Sequence, residues 1–303
     1  MINYEPFLTH LQALGKASPQ TIRSYRHDLK LFEDFARERS VSGPAQIDHA
    51  LIRAYVTWLR EKVNPRTGTP GMADTSIARR LAAISSFLEY TRAEDPNLRN
   101  PLKEIKRKWQ KNSKPNPVDE YDLDLLLASI SNQRDRMLFT LFVAAGLRVS
   151  EMQQLNRDSI TIEVERQPNG KLRAMGRGEV VGKGGKRRNF YVDHNTLRAY
   201  AVYLKSRTDK EPALFISERN QRMSVRAMQE RLAHWCKQIG FRPINVHRLR
   251  HTYATRLANA QINSMVLKDL MGHNSFATTQ KYLKLSDTTL ARGYFAAMEQ
   301  VGK

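Results

Sequence analysis

Cysteine is almost absent: Cys236 is the only one in 303 residues. That excludes a disulfide framework within the chain and a cysteine-built zinc site. Long apolar runs are missing too. The longest, residues 137–147 (MLFTLFVAAGL), falls well short of the ~20 residues that span a bilayer. The opening residues MINYEPFLTH carry no basic patch followed by an apolar run, so no signal peptide is expected. Acidic residues are few beside basic ones: 30 Asp and Glu stand against 50 Lys and Arg, a formal net charge of +20. A field of that sign implies a polyanionic partner, nucleic acid ahead of an anionic membrane surface. The remainder is ordinary. Apolar residues at 41% and charged residues at 26% fit a globular chain, and the length suits about two domains. The expectation is a soluble intracellular protein that meets DNA or RNA.

The basic excess lies mostly in residues 111–303. The stretch 106–120 (KRKWQKNSKPNPVDE) has two prolines and loses apolar periodicity from 110 to 117. Proline biases its predecessor away from helix, so a linker is placed at 109–117, between domains at 1–108 and 118–303. The first domain reads as all helix. Ser18 and Pro19 form a helix start, and Ile22, Tyr25, Leu29, Phe32, Phe35 and Ala36 then recur on one face. A second amphipathic segment covers 48–63. A third runs over 75–91 with Ile77, Leu81, Ile84 and Leu88 inward and Arg79 and Arg80 outward. The sum is a bundle of four or five helices. Any one basic side chain on it could simply be solvated. On so basic a chain, Arg23, Arg26, Arg79 and Arg80 as a set are candidates for phosphate contact.

The second domain mixes elements. Helices are expected at 118–131, 134–147, 194–207, 224–239, 247–260, 263–270 and 287–300. Strands at 160–164, 179–181 and 189–192 suggest a small antiparallel sheet. The fold class is therefore mainly α with a small antiparallel β-sheet. The last two strands are joined by GKGGKRR (182–188), a glycine-rich tip with four cations.

Four segments of this domain could carry chemistry. In AAGLRVSEM (144–152), Arg148 sits between apolar neighbours at a helix junction, with Glu151 three residues on. Its fork of donors suits a phosphate, and an Arg148–Glu151 ion pair suits it equally. The hairpin tip carries Lys183, Lys186, Arg187 and Arg188. It is no Walker A loop, since neither lysine is followed by Ser or Thr. It reads either as a close phosphodiester contact or as a mobile basic loop. In NVHRLRHTYATRL (245–257), His247 and Arg250 share a helix face and His251 is nearby. Without an HExxH glutamate or a third ligand, metal is not expected. In LMGHNSFATTQKYLKL (270–285), His273 lies in a turn between helices and Tyr282 follows.

In this order, Arg148, a hairpin lysine, His247-x-x-Arg250, His273 and Tyr282 resemble the tyrosine recombinase (phage integrase) family, in its simpler Xer-like form. The likeness extends to SPQTIRSYRHDLKLFEDFA (18–36) and to Asn100-Pro101 before the linker. The resemblance implies a helical core-binding (SAM-like) domain followed by a catalytic domain, closing as a clamp around DNA, with no room for an added N-terminal arm-binding module. It implies that Tyr282 attacks a phosphodiester to form a 3′-phosphotyrosyl link, while Arg148 and Arg250 clamp the nonbridging oxygens. Lys183, with Lys186 as fallback, would be the acid for the 5′-oxygen. His247 would be the acid/base toward the tyrosine, His273 a phosphate hydrogen-bond donor, and Glu151 a support for its neighbours. Arg187 and Arg188 would join the DNA-binding residues. No cofactor or metal is implied. The implied partners are double-stranded DNA with inverted-repeat core sites, three further copies of the chain in a tetramer that exchanges the 287–301 helix, and an accessory protein or second recombinase. A cytoplasmic, nucleoid-associated location follows. A type IB topoisomerase-like enzyme and a noncatalytic DNA-binding protein on the same fold are the alternatives.

Overall fold

The computed structural model describes residues 2–63, 68, 71–104, 116–167, 170–182, 185–283, 295 and 298. The chain divides into two compact units, Met1–Ser113 and Lys114–Lys303. The linker expected at 109–117 lies outside the described residues except for Asn116 and Pro117. The same holds for the helix expected at 287–300, apart from Phe295 and Met298.

The first unit is helical: α1 (Glu5–Ala13), α2 (Pro19–Arg37), α3 (His49–Glu61), α4 (Asp74–Glu94) and the short α5 (Pro101–Glu104). Two of these starts are written in the sequence. Ser18 Oγ accepts from the Thr21 backbone N–H at 3.2 Å with Pro19 at the first helical position, and the Asp48 carboxylate accepts from the Leu51 N–H at 2.8 Å. Each cap satisfies a donor that the helix cannot. The expected stripe on α2 faces the core: Ile22, Leu29, Phe32, Phe35 and Ala36 are buried, while Tyr25 is half-buried. Phe32 and Phe35 each pack 5.0 Å, centroid to centroid, from the ring of Tyr55 on α3. Each such buried aromatic contributes ~1.5–3 kcal/mol. Asn100, itself buried, ends the bundle by donating to Ser85 and to the Glu89 carboxylate of α4.

One expectation fails here. Arg80 does not face outward: it is 7% exposed, with Nε 3.7 Å from the buried Asp28 carboxylate. Its position, three after Ile77 and four before Ile84, puts it on the core stripe of α4. Arg79 also bonds Asp28 but stays 44% exposed.

The second unit runs α6 (Glu120–Ser129), α7 (Gln133–Ala145), α8 (Val149–Gln154), β1 (Thr161–Arg166), β2 (Leu172–Val181), β3 (Arg187–Val192), α9 (His194–Lys205), α10 (Val225–Gln238), α11 (Val246–Asn259), α12 (Ser264–Met271) and α13 (Phe276–Gln280). The sheet is antiparallel in the order β1-β2-β3, as expected. Strand β2 is longer than the three residues anticipated. Its first half pairs with β1, from Arg166↔Leu172 to Thr161↔Arg177, and its second half with β3. Residues 172–177 bury little, so no apolar alternation announced them.

Helix α7 is the spine of this unit, with Leu138, Phe139, Leu141 and Phe142 fully buried against α11 and α9. At its N-terminus the buried Asp135 accepts from Arg134 at 2.9 Å, Arg231 at 2.6 Å and the Trp235 indole at 2.8 Å, tying α7 to α10. The start of the unit is pinned to α11 where the Val118 N–H donates to Thr252 Oγ1 at 2.9 Å. No helix among the described residues is long and apolar enough to cross a membrane.

Candidate active site

Three arginines, one carboxylate and the end of one helix form the centre of the second unit. Helix α7 stops at Gly146, whose φ of +57° closes the helix in the left-handed region. A Cβ there would overlap the Tyr253 ring at 2.1 Å, so only glycine lets the chain turn so close to α11. Two residues later Arg148 opens α8. Glu151, in the first turn of α8, is 1% exposed and reaches back to the Arg148 backbone N–H and to its Nη1, both at 2.7 Å. The same carboxylate accepts from Arg188 Nη2 at 2.7 Å and lies 3.9 Å from Arg250 Nη1. Burial alone would raise the Glu151 pKa. The Arg188 and Arg148 hydrogen bonds outweigh it and hold the carboxyl below its ordinary value.

One terminal nitrogen of each guanidinium reaches the C-terminus of α12. Arg188 donates to the Leu270 carbonyl, Arg250 to that of Met271, and Arg148 to that of Gly272 at 2.7 Å. Three successive carbonyls, the unpaired negative end of a helix, thus each take a different arginine. Gly272 makes this possible. Its φ is +57°, and a Cβ would lie 2.7 Å from Arg188 Cδ. Arg250, 2% exposed, also donates to the Gly146 carbonyl, which joins the two helix ends. Burial and the Arg148 and Arg188 charges push its pKa down.

The titratable side chains lie beside this cluster. His273 follows Gly272 and bonds Thr279 Oγ1 through Nδ1 at 2.8 Å. Its ring is nearly parallel to that of Tyr282, at 11° and 6.5 Å. Tyr282, just after α13, is 8% exposed; burial pushes its phenol up to about 12, against the opposing charge of Arg250. The phenol oxygen is hydrogen-bonded to Nδ1 of His251. His247 sits one turn earlier on α11, exposed, with its ring 4.6 Å from that of His251. Lys281 lies over the Tyr282 ring at 5.1 Å.

Of the residues singled out in the sequence, Arg148, Glu151, Arg250, His273 and Tyr282 come together, with His247 at the edge. An open cavity of about 760 Å³ adjoins Arg148 and His273 of this group and is lined also by Lys186, Arg188 and the end of α12. Lys186 is exposed on its rim, and Lys183 lies outside the described residues. Two placements stand out. Arg188 is not a surface cation: its side chain is 8% exposed and belongs to the arginine cluster. Strand parity carries the signal, since Arg188 points the same way as the buried Phe190 and Val192. Arg187, of opposite parity, is 73% exposed and pairs with Glu179. The tyrosine hydroxyl is contacted by His251, with His247 one turn earlier on the same helix. Among the described residues no group of three or more His, Cys, Asp or Glu side chains is arranged to hold a metal ion.

The expected phosphate contacts of the first unit are already engaged in part. Arg26 makes a two-pronged pair with Glu5 at 2.8 and 3.0 Å, and Arg23 donates to Gln20 at 3.0 Å, all on the surface.

Known proteins bear on the whole chain. The tyrosine recombinase XerC of Escherichia coli O157:H7 is 29% identical over 301 residues, covering 97% of this chain and 95% of that protein. The Tn1549 transposon integrase, solved in complex with transposon right end DNA, superposes with a TM-score of 0.73 at 17% identity, covering 97% of this chain and 98% of the other. The XerH site-specific recombinase bound to its difH substrate gives a TM-score of 0.66 at 19% identity, covering 90% and 78%. The sequence model of the phage integrase N-terminal SAM-like domain matches residues 5–95, and that of the phage integrase family itself matches residues 118–289, the segment that holds every residue of the cluster. The chain belongs to the phage integrase family.

Proposed function

We propose that the protein is a site-specific DNA recombinase that cuts and rejoins duplex DNA through Tyr282. The observation that carries this is the convergence of Arg148, Arg250 and His273 at the C-terminal end of α12, with Tyr282 beside His273 and an open cavity along Arg148 and His273. Displacing a 5′-oxygen from phosphorus by a phenol places extra negative charge on the nonbridging oxygens. Arg148 and Arg250 are held in place before substrate arrives, and a phosphate would draw their donors from the backbone carbonyls they now bond. Each is worth about 3–4 kcal/mol in the transition state. His273 adds a third donor. Glu151 sets the orientation of the guanidinium groups and keeps three like charges together. The departing 5′-oxygen takes its proton from the hairpin, from Lys183 or Lys186. The phosphotyrosyl bond conserves the energy of the broken linkage, so religation to a different 5′-hydroxyl completes an exchange.

The partner is double-stranded DNA, gripped largely through phosphates by a +20 chain, with affinity falling steeply as salt rises. Exchange between two duplexes through a Holliday junction calls for four protomers on inverted-repeat core sites, linked through the 287–301 segment. An accessory protein or second recombinase would fit the same scheme, in the cytoplasm near the nucleoid. Supercoiled plasmid carrying two copies of a site selected by the protein from random DNA separates the readings. A recombinase yields resolved or inverted products that require both sites. Relaxation of site-free plasmid would instead mean a topoisomerase, and binding without any strand breakage a noncatalytic protein.

A further inference from the structure

We propose that Asp28 is a positioning residue for DNA binding: it holds the Arg79 guanidinium where a backbone phosphate can take its free donors. The inference rests on the reading of double-stranded DNA as the partner, and deepens it by naming what aims one of the candidate cations. Three observations carry it. Asp28, on α2, is fully buried and accepts through Oδ2 from Nη1 of Arg79 on α4. Arg79 nevertheless stays 44% exposed, and Asp28 is its one hydrogen-bond partner among the described residues. The same carboxylate faces Arg80: its Oδ1 lies 3.7 Å from Arg80 Nε and takes no hydrogen bond among the described residues.

The neighbouring cations of this unit are held differently. Arg26, Arg37, Arg39 and Arg60 pair with Glu5, Asp34, Glu38 and Asp74, and every one of those carboxylates is exposed. Both members of such a pair are free to swing into water, and the pair fixes little. Asp28 has no water to turn to, since Leu29 and Phe32 beside it on α2 are buried as well. Out of water its attraction for a guanidinium is stronger. Burial pushes the Asp28 carboxyl above its ordinary value, against the charges of Arg79 and Arg80. Two guanidinium groups share this one carboxylate, so the cluster keeps a positive charge and still attracts a phosphate. A free arginine gives up rotamer freedom when a ligand fixes it, whereas Arg79 has given that up on folding. Its fork is planar, so holding Nη1 on Asp28 sets the plane in which the other nitrogens meet the phosphate.

The test uses the full chain and measures its affinity, over a range of salt, for a duplex of random sequence and for the site it selects from random DNA. The binding-competent fraction of each variant is titrated first. Removing a carboxylate makes the chain more positive, so charge alone predicts tighter binding by Asp28→Asn. Positioning predicts the opposite sign. Asp28→Asn should bind both duplexes about 3–10-fold more weakly than wild type, with the salt slope reduced by about 1, as for Arg79→Ala. In an Arg79→Ala background, Asp28→Asn should weaken binding no further while still lowering the melting temperature, a split that a purely structural role does not give. Binding by folded Asp28→Asn at wild-type strength or tighter would overturn the proposal, and so would losses that add in the double variant. Should Asp28→Asn fail to fold, Arg79→Lys decides. It keeps the charge and leaves Asp28 in place, but a point charge cannot hold the carboxylate with one nitrogen and meet the phosphate with another. It should bind as weakly as Arg79→Ala, and wild-type affinity in Arg79→Lys overturns the proposal. A wild-type protein that binds neither duplex removes the DNA reading itself, whereas wild-type binding with an unimpaired Arg79→Ala removes this inference alone.

Discussion

Two carboxylates, Asp135 and Glu151, are buried in the same unit and each is surrounded by arginine, yet they do different things. Asp135 closes its network. Arg134, Arg231 and Trp235 all donate to it, and the arrangement locks α7 to α10. Glu151 leaves its network open. It takes only part of the donor set of Arg148 and Arg188, whose other terminal nitrogens end on the Gly272 and Leu270 carbonyls beside a cavity, while Arg250 donates to the carbonyls of Gly146 and Met271. A carbonyl is a neutral acceptor that a phosphate can outcompete; a carboxylate is not. Arg134 also has a donor on a carbonyl, that of Ile216, so what sets the second cluster apart is that Arg148 and Arg188, with the Gly272 and Leu270 carbonyls they bond, line a cavity.

Mutation should split the two networks. Arg148→Ala is expected to lower the rate of covalent DNA cleavage by 10²-fold or more while the protein still binds its site. Arg231→Ala should leave the rate per folded molecule unchanged. Equal losses in single-turnover assays would erase the distinction.

Removing the acids comes next in size. Asp135→Asn leaves arginines without their buried partner and should destabilise the fold by about 3–5 kcal/mol in denaturant titrations, with cleavage intact in the folded fraction. The pH response has a definite sign. Burial would raise both pKa values, but the Trp235 and arginine contacts of Asp135 and the Arg188 and Arg148 contacts of Glu151 lower them on balance. Each carboxylate therefore adds stability that is complete above the ordinary carboxyl range, about pH 4, and is lost as the pH falls below it. Asp135→Asn and Glu151→Gln should each flatten the acid limb of the stability curve, and an unchanged limb would contradict the assignment of depressed values.

Gly272→Ala tests the helix end that the open network uses. Its positive φ and the Arg188 contact should together cost about 1–3 kcal/mol, and cleavage should fall further than stability accounts for. The smallest effect belongs to the first unit. Arg79→Ala should reduce the salt slope of DNA binding by about 1, and Arg80→Ala, being buried, should leave the slope alone and lower the melting temperature.

Much of this was legible in the sequence, and the misses have physical causes. Arg148, His247, Arg250, His273 and Tyr282 stood out as a set because their order resembles the family's, while Gly146, Asn245 and Gly272 marked the helix boundaries near them. The helical bundle followed from the stripes on α2 and α4. The inward side chains of Arg80 and Arg188 were misplaced because charge was weighed above periodicity. Each shares the helical or strand phase of buried apolar neighbours, Ile77 and Ile84 for one, Phe190 and Val192 for the other. The contact between His251 and Tyr282 had no such signal. Two histidines one turn apart on α11 are equivalent in sequence, and only the path of the chain through α12 and α13 brings Tyr282 to the second.

The most direct trial of the account is to react the protein with a nicked duplex of its selected site and locate the DNA on the chain by mass spectrometry of the digested adduct. A 3′-phosphoryl group on the peptide containing Tyr282, absent from Tyr282→Phe, is the predicted result. DNA attached to any other residue, or an adduct that survives in Tyr282→Phe, would contradict it.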